Sequence, residues 1–434
     1  IGSRASVFLL FFQLGLIIVD EEHDVGYKQR EPAPRYNARD AAIYLATLHK
    51  SKVLLGSATP SLETYFNTQI EKYGYVSLNE RYLNTPMPRI EIANMKEDYI
   101  NKRNYSIFSS LLYDRIIQTL NNHKQVIIFK NQRGYASNIR CEVCGWVAKC
   151  PNCDVSLTYH KQWNSLNCHY CGLNLPLYSE CPECHSHSLV QSGNGSEKIE
   201  EEILRFFPNA RVKRMDLDTT RKKNDYLEII QDFEKGNIDI LCGTQIITKG
   251  LDFSNVGLVG VIDADSLLYY PDFRAYERCF DLLTQVAGRA GRLKEKGAVV
   301  IQSFNPNHQI FKEVLNYDYA SMYKNQIVER KLFSYPPFVY LTKILFQSKD
   351  KDVLDSLCQE YSNEIRKIFA QRILGPEYPP IYRVKGMYQK QFILKLEKTI
   401  SYTQAKKLIM QLNEEILSKK EYKQVRVIVD VDTY

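Results

Sequence analysis

Eight cysteines stand as four C-x-x-C pairs: Cys141/Cys144, Cys150/Cys153, Cys168/Cys171 and Cys181/Cys184. Such a knuckle presents two thiolates on one turn, and zinc takes four tetrahedral ligands. Two knuckles complete one site, so the block predicts two structural zinc sites and no open, catalytic position. Disulfides or redox pairs are the alternative, but four knuckles within 44 residues argue against them. The residues alone leave the pairing open. A hairpin across the 14 residues between Cys153 and Cys168 would join Cys150, Cys153, Cys168 and Cys171 as an inner site. Cys141, Cys144, Cys181 and Cys184 would then form the outer one. His160, His169, His185 and His187 share the block and read as bystanders. A block this poor in apolar residues takes its folding energy from the metal.

A second chemistry sits in VDEEHD (19–24), after the apolar run Leu14–Ile18. A carboxylate pair at a strand end suits a magnesium ion beside a nucleotide triphosphate. Asp20 would hold the ion through water, and Glu21 would orient and deprotonate the attacking water. Ser57-Ala58-Thr59 follows a second apolar run, and its hydroxyls can link Glu22 or His23 to a bound strand. Further along lie ILCGTQIITKGLDFSNVGLVGVIDAD (240–265) and QVAGRAGR (285–292). Arg289 and Arg292 stand one helical turn apart, placed to reach a γ-phosphate as arginine fingers do. Thr244, Lys249 and Gly250 follow a strand and can grip phosphate oxygens.

These groups need a frame. Short β-branched runs at 16–19, 53–55, 126–129, 238–242, 258–262 and 298–302 lack polar alternation, as strands covered on both faces do. Helical segments at 38–48, 108–121 and 196–206 separate some of them, the pattern of parallel α/β sheets. From about 338 the order becomes β-α-β-β-α-β, with strands at 340–346, 381–384, 391–396 and 425–431 and helices at 350–369 and 402–417. That suits a small α+β domain. The 434 residues suggest two to four domains, and the net charge of +7 is compatible with nucleic acid without proving it. The run Val7–Val19 is too short to span a bilayer and lacks signal-peptide features, so the expected compartment is the cytoplasm.

DExH, SAT, GTQxxTKGxDF and QxxGRxGR in this order resemble superfamily 2 helicases. The eight-cysteine block between the two motor halves narrows the resemblance to the PriA (primosomal protein N′) family of bacterial replication-restart helicases. So do FKNQRGYA (129–136), GSEKIEEEI (195–203), DADSLLYYPDFRAYER (263–278) and YPPF (335–338), and the likeness covers essentially the whole chain. The resemblance implies two RecA-like P-loop motor lobes, the first incomplete, with an inserted two-zinc module and a C-terminal α+β domain. The implied division is 1–100 for the first lobe, 101–140 and 188–332 for the second, 141–187 for the zinc module and 333–434 for the C-terminal domain.

Nested zinc pairing is the pattern of that family. By the same resemblance Asp20, Glu21, Glu22 and His23 form the catalytic box with Arg289 and Arg292. Gln285, Gly288, Gly250 and Asp252 lie near the nucleotide. The stretch 27–40 matches an aromatic-rich loop in which Tyr27 and Tyr36 stack on bases while Lys28, Arg35 and Arg39 meet phosphates. The implied function is ATP-dependent, 3′→5′ unwinding of DNA at stalled forks and D-loops. Its cofactors are two zinc ions and ATP with magnesium. Its partners are forked and single-stranded DNA, primosome proteins and single-strand-binding protein, with the chain a monomer away from any membrane.

The phosphate-cradling loop G-x-x-x-x-G-K-[ST] does not occur, and the first residue is Ile1 rather than Met. The expectation is therefore a piece of a longer chain that by itself hydrolyses ATP poorly. The competing class is a non-catalytic, zinc-dependent DNA-binding or primosome-assembly module. The intact Asp20, Glu21, Arg289 and Arg292 argue against it.

Overall fold

The computed structural model describes residues 2–78, 80, 87–130, 138–153, 155–160, 164–191, 196–216, 219, 223–244, 253, 255–290 and 297–432. They form two compact units. One gathers 1–76 and 327–434 with the short stretch 170–172, and the other 77–169 and 173–326.

The first unit begins with a parallel pair, β1 (Leu16–Val19) and β2 (Lys52–Leu55). Between them runs α1 (Ala38–His49), capped by Asn37, whose side chain accepts from the Arg39 N–H. Ala38, Ala42 and Ala46 recur every fourth residue and make its buried stripe. Helix α2 (Leu62–Gln69) follows, capped by Ser61. The expectation that β1 and β2 are covered on both faces does not hold. Ile18 is 63% exposed and Leu54 54%, because among the described residues the two strands pair only with each other.

The second unit is a six-stranded, wholly parallel sheet. Its elements in chain order are β3 (Arg89–Asn94), α3 (Met95–Ile100), α4 (Ser110–Asn121) and β4 (Gln125–Lys130). The cysteine-rich insertion then contributes β5 (Ile139–Cys141), β6 (Thr158–His160), β7 (Ser165–Asn167), β8 (Asn174–Pro176) and β9 (Leu189–Gln191). The lobe resumes with α5 (Ser196–Phe206), β10 (Val212–Met215), α6 (Lys223–Glu234), β11 (Ile240–Gly243) and β12 (Val256–Ile262). It continues through α7 (Asp265–Leu268), α8 (Ala275–Ala287), β13 (Ala298–Ser303) and α9 (Gln309–Leu315).

The strand order is β10-β11-β4-β12-β13-β3. Every residue of β4 and β11 is buried, as their apolar runs require of central strands. Phe108, Leu112 and Ile116 of the α4 segment pack with Ile199 and Ile203 of α5 against Val126, Ile128, Ile240, Leu258 and Val300. One boundary moves. Residues 89–94 were expected in the first lobe, but β3 pairs in register with β13, Ile90 opposite Val299 and Ile92 opposite Ile301, and so completes the second sheet. The apolar pattern of a parallel strand carries no label for the sheet it joins.

After α10 (Tyr319–Leu332) comes the C-terminal domain: β14 (Val339–Ser348), α11 (Lys351–Phe369), β15 (Ile373–Glu377), β16 (Arg383–Val384), β17 (Met387–Glu397), α12 (Tyr402–Leu417) and β18 (Arg426–Val431). The sheet is antiparallel, ordered β15-β17-β14-β18, with β16 paired to β17. Asp350 and Ser401 cap the two helices. Leu357, Tyr361 and Ile365 of α11 and Ile409 and Leu412 of α12 pack on Ile344, Phe346, Phe392 and Leu394. The expected β-α-β-β-α-β order lacked β15, which contains Gly375-Pro376. Proline is tolerated on this edge strand at an irregularity in register. Gly375 has φ +99°, and a Cβ there would stand 2.6 Å from the Gln391 carbonyl oxygen.

Candidate zinc centres and nucleotide-motif segments

The cysteine-rich insertion leaves and rejoins the lobe at one place, because β5 and β9 pair antiparallel. Within it β6, β7 and β8 form a three-stranded meander that follows Cys153 and carries Cys168 and Cys171 in the turn between β7 and β8. This hairpin nests one thiol set inside the other. Cys141, Cys144, Cys181 and Cys184 form one group, Cys150, Cys153, Cys168 and Cys171 the second, each with all sulfurs within 4.8 Å. Cys141 Sγ lies 3.6 Å from Cys184 Sγ, and Cys144 Sγ 3.4 Å from Cys181 Sγ. Tetrahedral zinc with bonds of about 2.3 Å sets its sulfurs about 3.8 Å apart, so the spacing suits the ion.

Backbone amides tighten the turns: Cys150 N–H donates to the Val155 carbonyl and Cys168 N–H to that of Leu173, both at 2.8 Å. Hydrogen bonding with Cys150 and Cys168, and then burial, raise the Cys153 thiol. None of the four histidines joins either sulfur group among the described residues. His160 and His169 face each other with Nε2 atoms 3.3 Å apart, and burial holds the His160 pKa down. His187 Nδ1 lies 3.0 Å from the Ser179 carbonyl oxygen.

The insertion is fastened to the strand ends of its own lobe by residues that sequence reasoning did not single out. Arg140, just before the first ligand, lays its guanidinium 3.9 Å from the centre of the Phe304 ring. It reaches Asp263 at 3.5 Å and Asp265 at 3.9 Å. Asp265 is fully buried and accepts from Ser303 Oγ and the Phe304 N–H, each at 2.8 Å. Burial raises its pKa, and Arg140 opposes the rise. Gly145 has φ +79°, and a Cβ there would stand 2.9 Å from the Phe304 carbonyl oxygen. Lys149 Nζ meets Tyr276 Oη at 2.5 Å, and the Tyr276 ring stacks on His308 at 5.3 Å. The one signal in the sequence was DADSLLYYPDFRAYER, which holds Asp263, Asp265 and Tyr276 but names no partner for them.

In the first unit the β1–β2 ladder runs on past the strands. Gly56 N–H donates to the Val19 carbonyl at 2.8 Å, and Glu22 N–H to the Gly56 carbonyl at 3.0 Å. This puts the acidic box beside the SAT segment. Asp20 and Glu21 are exposed, and Glu21 adopts a left-handed φ of +49°. His23 Nδ1 lies 2.7 Å from Ser57 Oγ.

Three expected site residues are buried on internal partners. Glu22 is 2% exposed and accepts from Ser61 N–H at 2.7 Å, Arg39 Nη1 at 2.9 Å, Ser61 Oγ at 3.2 Å and Thr64 Oγ1 at 2.9 Å. It ties the box to Ser61 and Thr64 at the start of α2. Arg39, expected on phosphates, is buried as its partner and also meets Asp40 at 2.9 Å. Lys28, also expected on phosphates, is 5% exposed. Its Nζ lies 2.9 Å from Asp430 Oδ1 and donates to the carbonyls of Val431 and Arg35 at 2.6 and 3.1 Å. A buried ammonium requires such compensation. Tyr27 Oη donates to the Asp20 carbonyl at 2.6 Å, Tyr36 sets its ring edge against Phe8 at 4.6 Å, and Arg35 is half-buried.

In the second unit Gln285 lies near the end of α8, which Gly288 closes by donating to the Thr284 carbonyl at 3.0 Å. Arg289 N–H then donates to Val286 O at 3.1 Å, so the arginine follows directly on a rigid helix. Thr244 stands just beyond β11. Lys249, Gly250, Asp252 and Arg292 lie outside the described residues.

Three family models match the chain. They are the PriA DNA helicase Cys-rich region domain at 150–176, the helicase conserved C-terminal domain at 186–294 and the primosomal protein N C-terminal domain at 331–434. The replication restart protein PriA of Bacillus subtilis is 39% identical over 436 residues, covering 100% of this chain and 54% of its own length. That of Rickettsia typhi is 38% identical over 439 residues, covering 100% and 66%. The chain thus spans between about half and two thirds of these relatives. The structure of RecG bound to a three-way DNA junction is similar with a TM-score of 0.38 at 14% identity, over 72% of this chain and 30% of that one.

Proposed function

The chain belongs to the PriA family of replication restart proteins, and from that premise we propose that it carries much of an ATP-dependent DNA helicase that acts 3′→5′ on stalled forks and D-loops. The reading rests above all on one arrangement: the β1–β2 ladder holds Asp20 and Glu21 exposed while His23 ties the box to Ser57. Bound magnesium neutralises charge on the transferred phosphoryl group. In this proposal Asp20 holds that ion and Glu21 orients the attacking water. Gln285, Gly288, Arg289 and Arg292 answer the charge on the phosphates, with Thr244, Lys249, Gly250 and Asp252 lining the path of nucleotide and strand. Tyr27, Arg35 and Tyr36 handle DNA, whereas Lys28 and Arg39 serve as internal struts. The proposed domain plan keeps the zinc module at 141–187 and the C-terminal domain at 333–434, with the second lobe extended to include 89–100.

The proposed partners are forked and single-stranded DNA, primosome proteins and single-strand-binding protein. The proposed place of action is the cytoplasm, on nucleoid DNA. No described helix is long and apolar enough to cross a membrane. The deciding experiment is Glu21→Gln in the full-length protein. DNA-dependent ATP turnover should fall about 10²-fold or more while fork binding persists, since a positioned base contributes roughly 10²–10⁴ in rate. Undiminished turnover would sink the assignment.

A further inference from the structure

The stretch from 27 to 40 is a closed device rather than a slack surface loop. Lys28 and Asn37 form an antiparallel bridge, and Gln29 N–H donates to the Tyr36 carbonyl at 2.8 Å. Gln29 Nε2 donates across the turn to the carbonyls of Pro32 and Pro34 at 2.8 and 3.1 Å. Arg4 Nη1 donates to the carbonyls of Gly26 and Lys28 at 3.1 and 3.2 Å. Apart from Asp40 in α1, the exposed residues are those of the tip, 30–34.

Two adjacent residues at its base reach two different elements. Tyr27 hooks the backbone of Asp20 in the acidic box. Lys28 reaches β18, the last strand of the C-terminal domain, through the Asp430 carboxylate and the Val431 carbonyl. The Lys28 side chain is 4% exposed and that of Asp430 20%. A methionine would cover the same surface without desolvating a charge, so a buried ion pair here specifies position more than it adds stability.

We propose that the C-terminal domain is the anchor of this loop, with Lys28 and Asp430 as positioning residues that set its tip for nucleic acid. The inference rests on the DNA-handling role proposed above for the same loop. Its consequence is that β18 and the acidic box share one reporter: a shift of either moves the base of the loop.

The test compares wild type with Asp430→Asn in the full-length, zinc-loaded protein. Three quantities are read: amide exchange across 28–37, the single-stranded DNA concentration giving half-maximal ATP turnover, and turnover without DNA. The expected result is faster exchange confined to the loop, a half-saturating DNA concentration raised about fivefold or more, and unchanged DNA-independent turnover. Asp430→Glu should restore most of the DNA response, which a merely structural defect would not do. Should Asp430→Asn fail to fold, Lys28→Met tests the same anchor from the loop side and should raise the DNA requirement likewise. A loop that exchanges faster while the DNA requirement stays at the wild-type value would overturn the proposal, as would unchanged exchange. Wild-type turnover indifferent to DNA would instead remove the DNA-handling role beneath it, while the exchange data would still report on the anchor.

Discussion

At the scale of single residues, hydrogen-bond partners decide what a charged group is free to do. Glu22, accepting from a guanidinium, two hydroxyls and an amide, has little lone-pair capacity left for an ion, whereas its neighbours Asp20 and Glu21 face solvent. The sequence shows three acids in a row, and nothing in their types or spacing says which one turns inward. Lys28 and Arg39 teach the same lesson with the opposite sign. Their partners are Asp430, 402 residues away, and Glu22, and neither pairing leaves a mark in local pattern. The thiols are the contrary case. C-x-x-C is itself the local structure a zinc ligand pair needs, so all eight could be named from spacing alone. Cys150→Ser should therefore yield one zinc per chain instead of two by metal analysis. In the full-length protein it should lower unwinding or assembly more than ATP turnover. Equal loss of both would mean that the metal also holds the motor lobe together.

At the scale of elements, legibility followed apolar composition, which picked out even the exposed pair β1 and β2. Strands β4, β11, β12 and β13 stood out as apolar runs because both their faces are covered. Strand β15 was missed because an edge strand tolerates Gly-Pro, which ordinarily punctuates turns. The seating of the cysteine-rich insertion on α8 and β13 was not legible, since it joins single side chains from distant segments.

That seating makes a pH prediction. Burial first, and then the Lys149 charge, push the His308 pKa down from 6.5 to about 4. Neutral Nδ1 accepts the Ile310 N–H at 3.2 Å and caps α9. The unfolded chain thus binds a proton between pH 6.5 and about 4 that the folded chain refuses, so His308 subtracts stability as pH falls through that window. The loss should be at most about 2 kcal/mol by pH 5. His308→Asn, which keeps a capping group, should flatten that part of the pH dependence of Tm. Parallel wild-type and variant curves would refute it, and the comparison cancels any acid sensitivity of the thiolates.

At the scale of the whole molecule, the two thiol groups differ in how much chain each must close. The inner site joins knuckles separated by 14 residues, Cys153 to Cys168, and the outer site knuckles separated by 36, Cys144 to Cys181. Closing the longer loop from an open chain costs about 0.8 kcal/mol more. Once the inner site is made, its meander draws the outer knuckles together and removes much of that difference. Nesting therefore has a direction in time. On that ground the inner site should fill first and prepare the outer one. In a titration of metal-free protein the first equivalent of zinc should protect Cys150, Cys153, Cys168 and Cys171 from alkylation before Cys141, Cys144, Cys181 and Cys184, and the reverse order would contradict this. Cys141 ends β5 and its neighbour Arg140 reaches Asp263 and Asp265, so the last thiols to be captured are those nearest the lobe. Assembly of this insertion would then run as a zipper that starts at its far tip and closes toward the lobe that carries it.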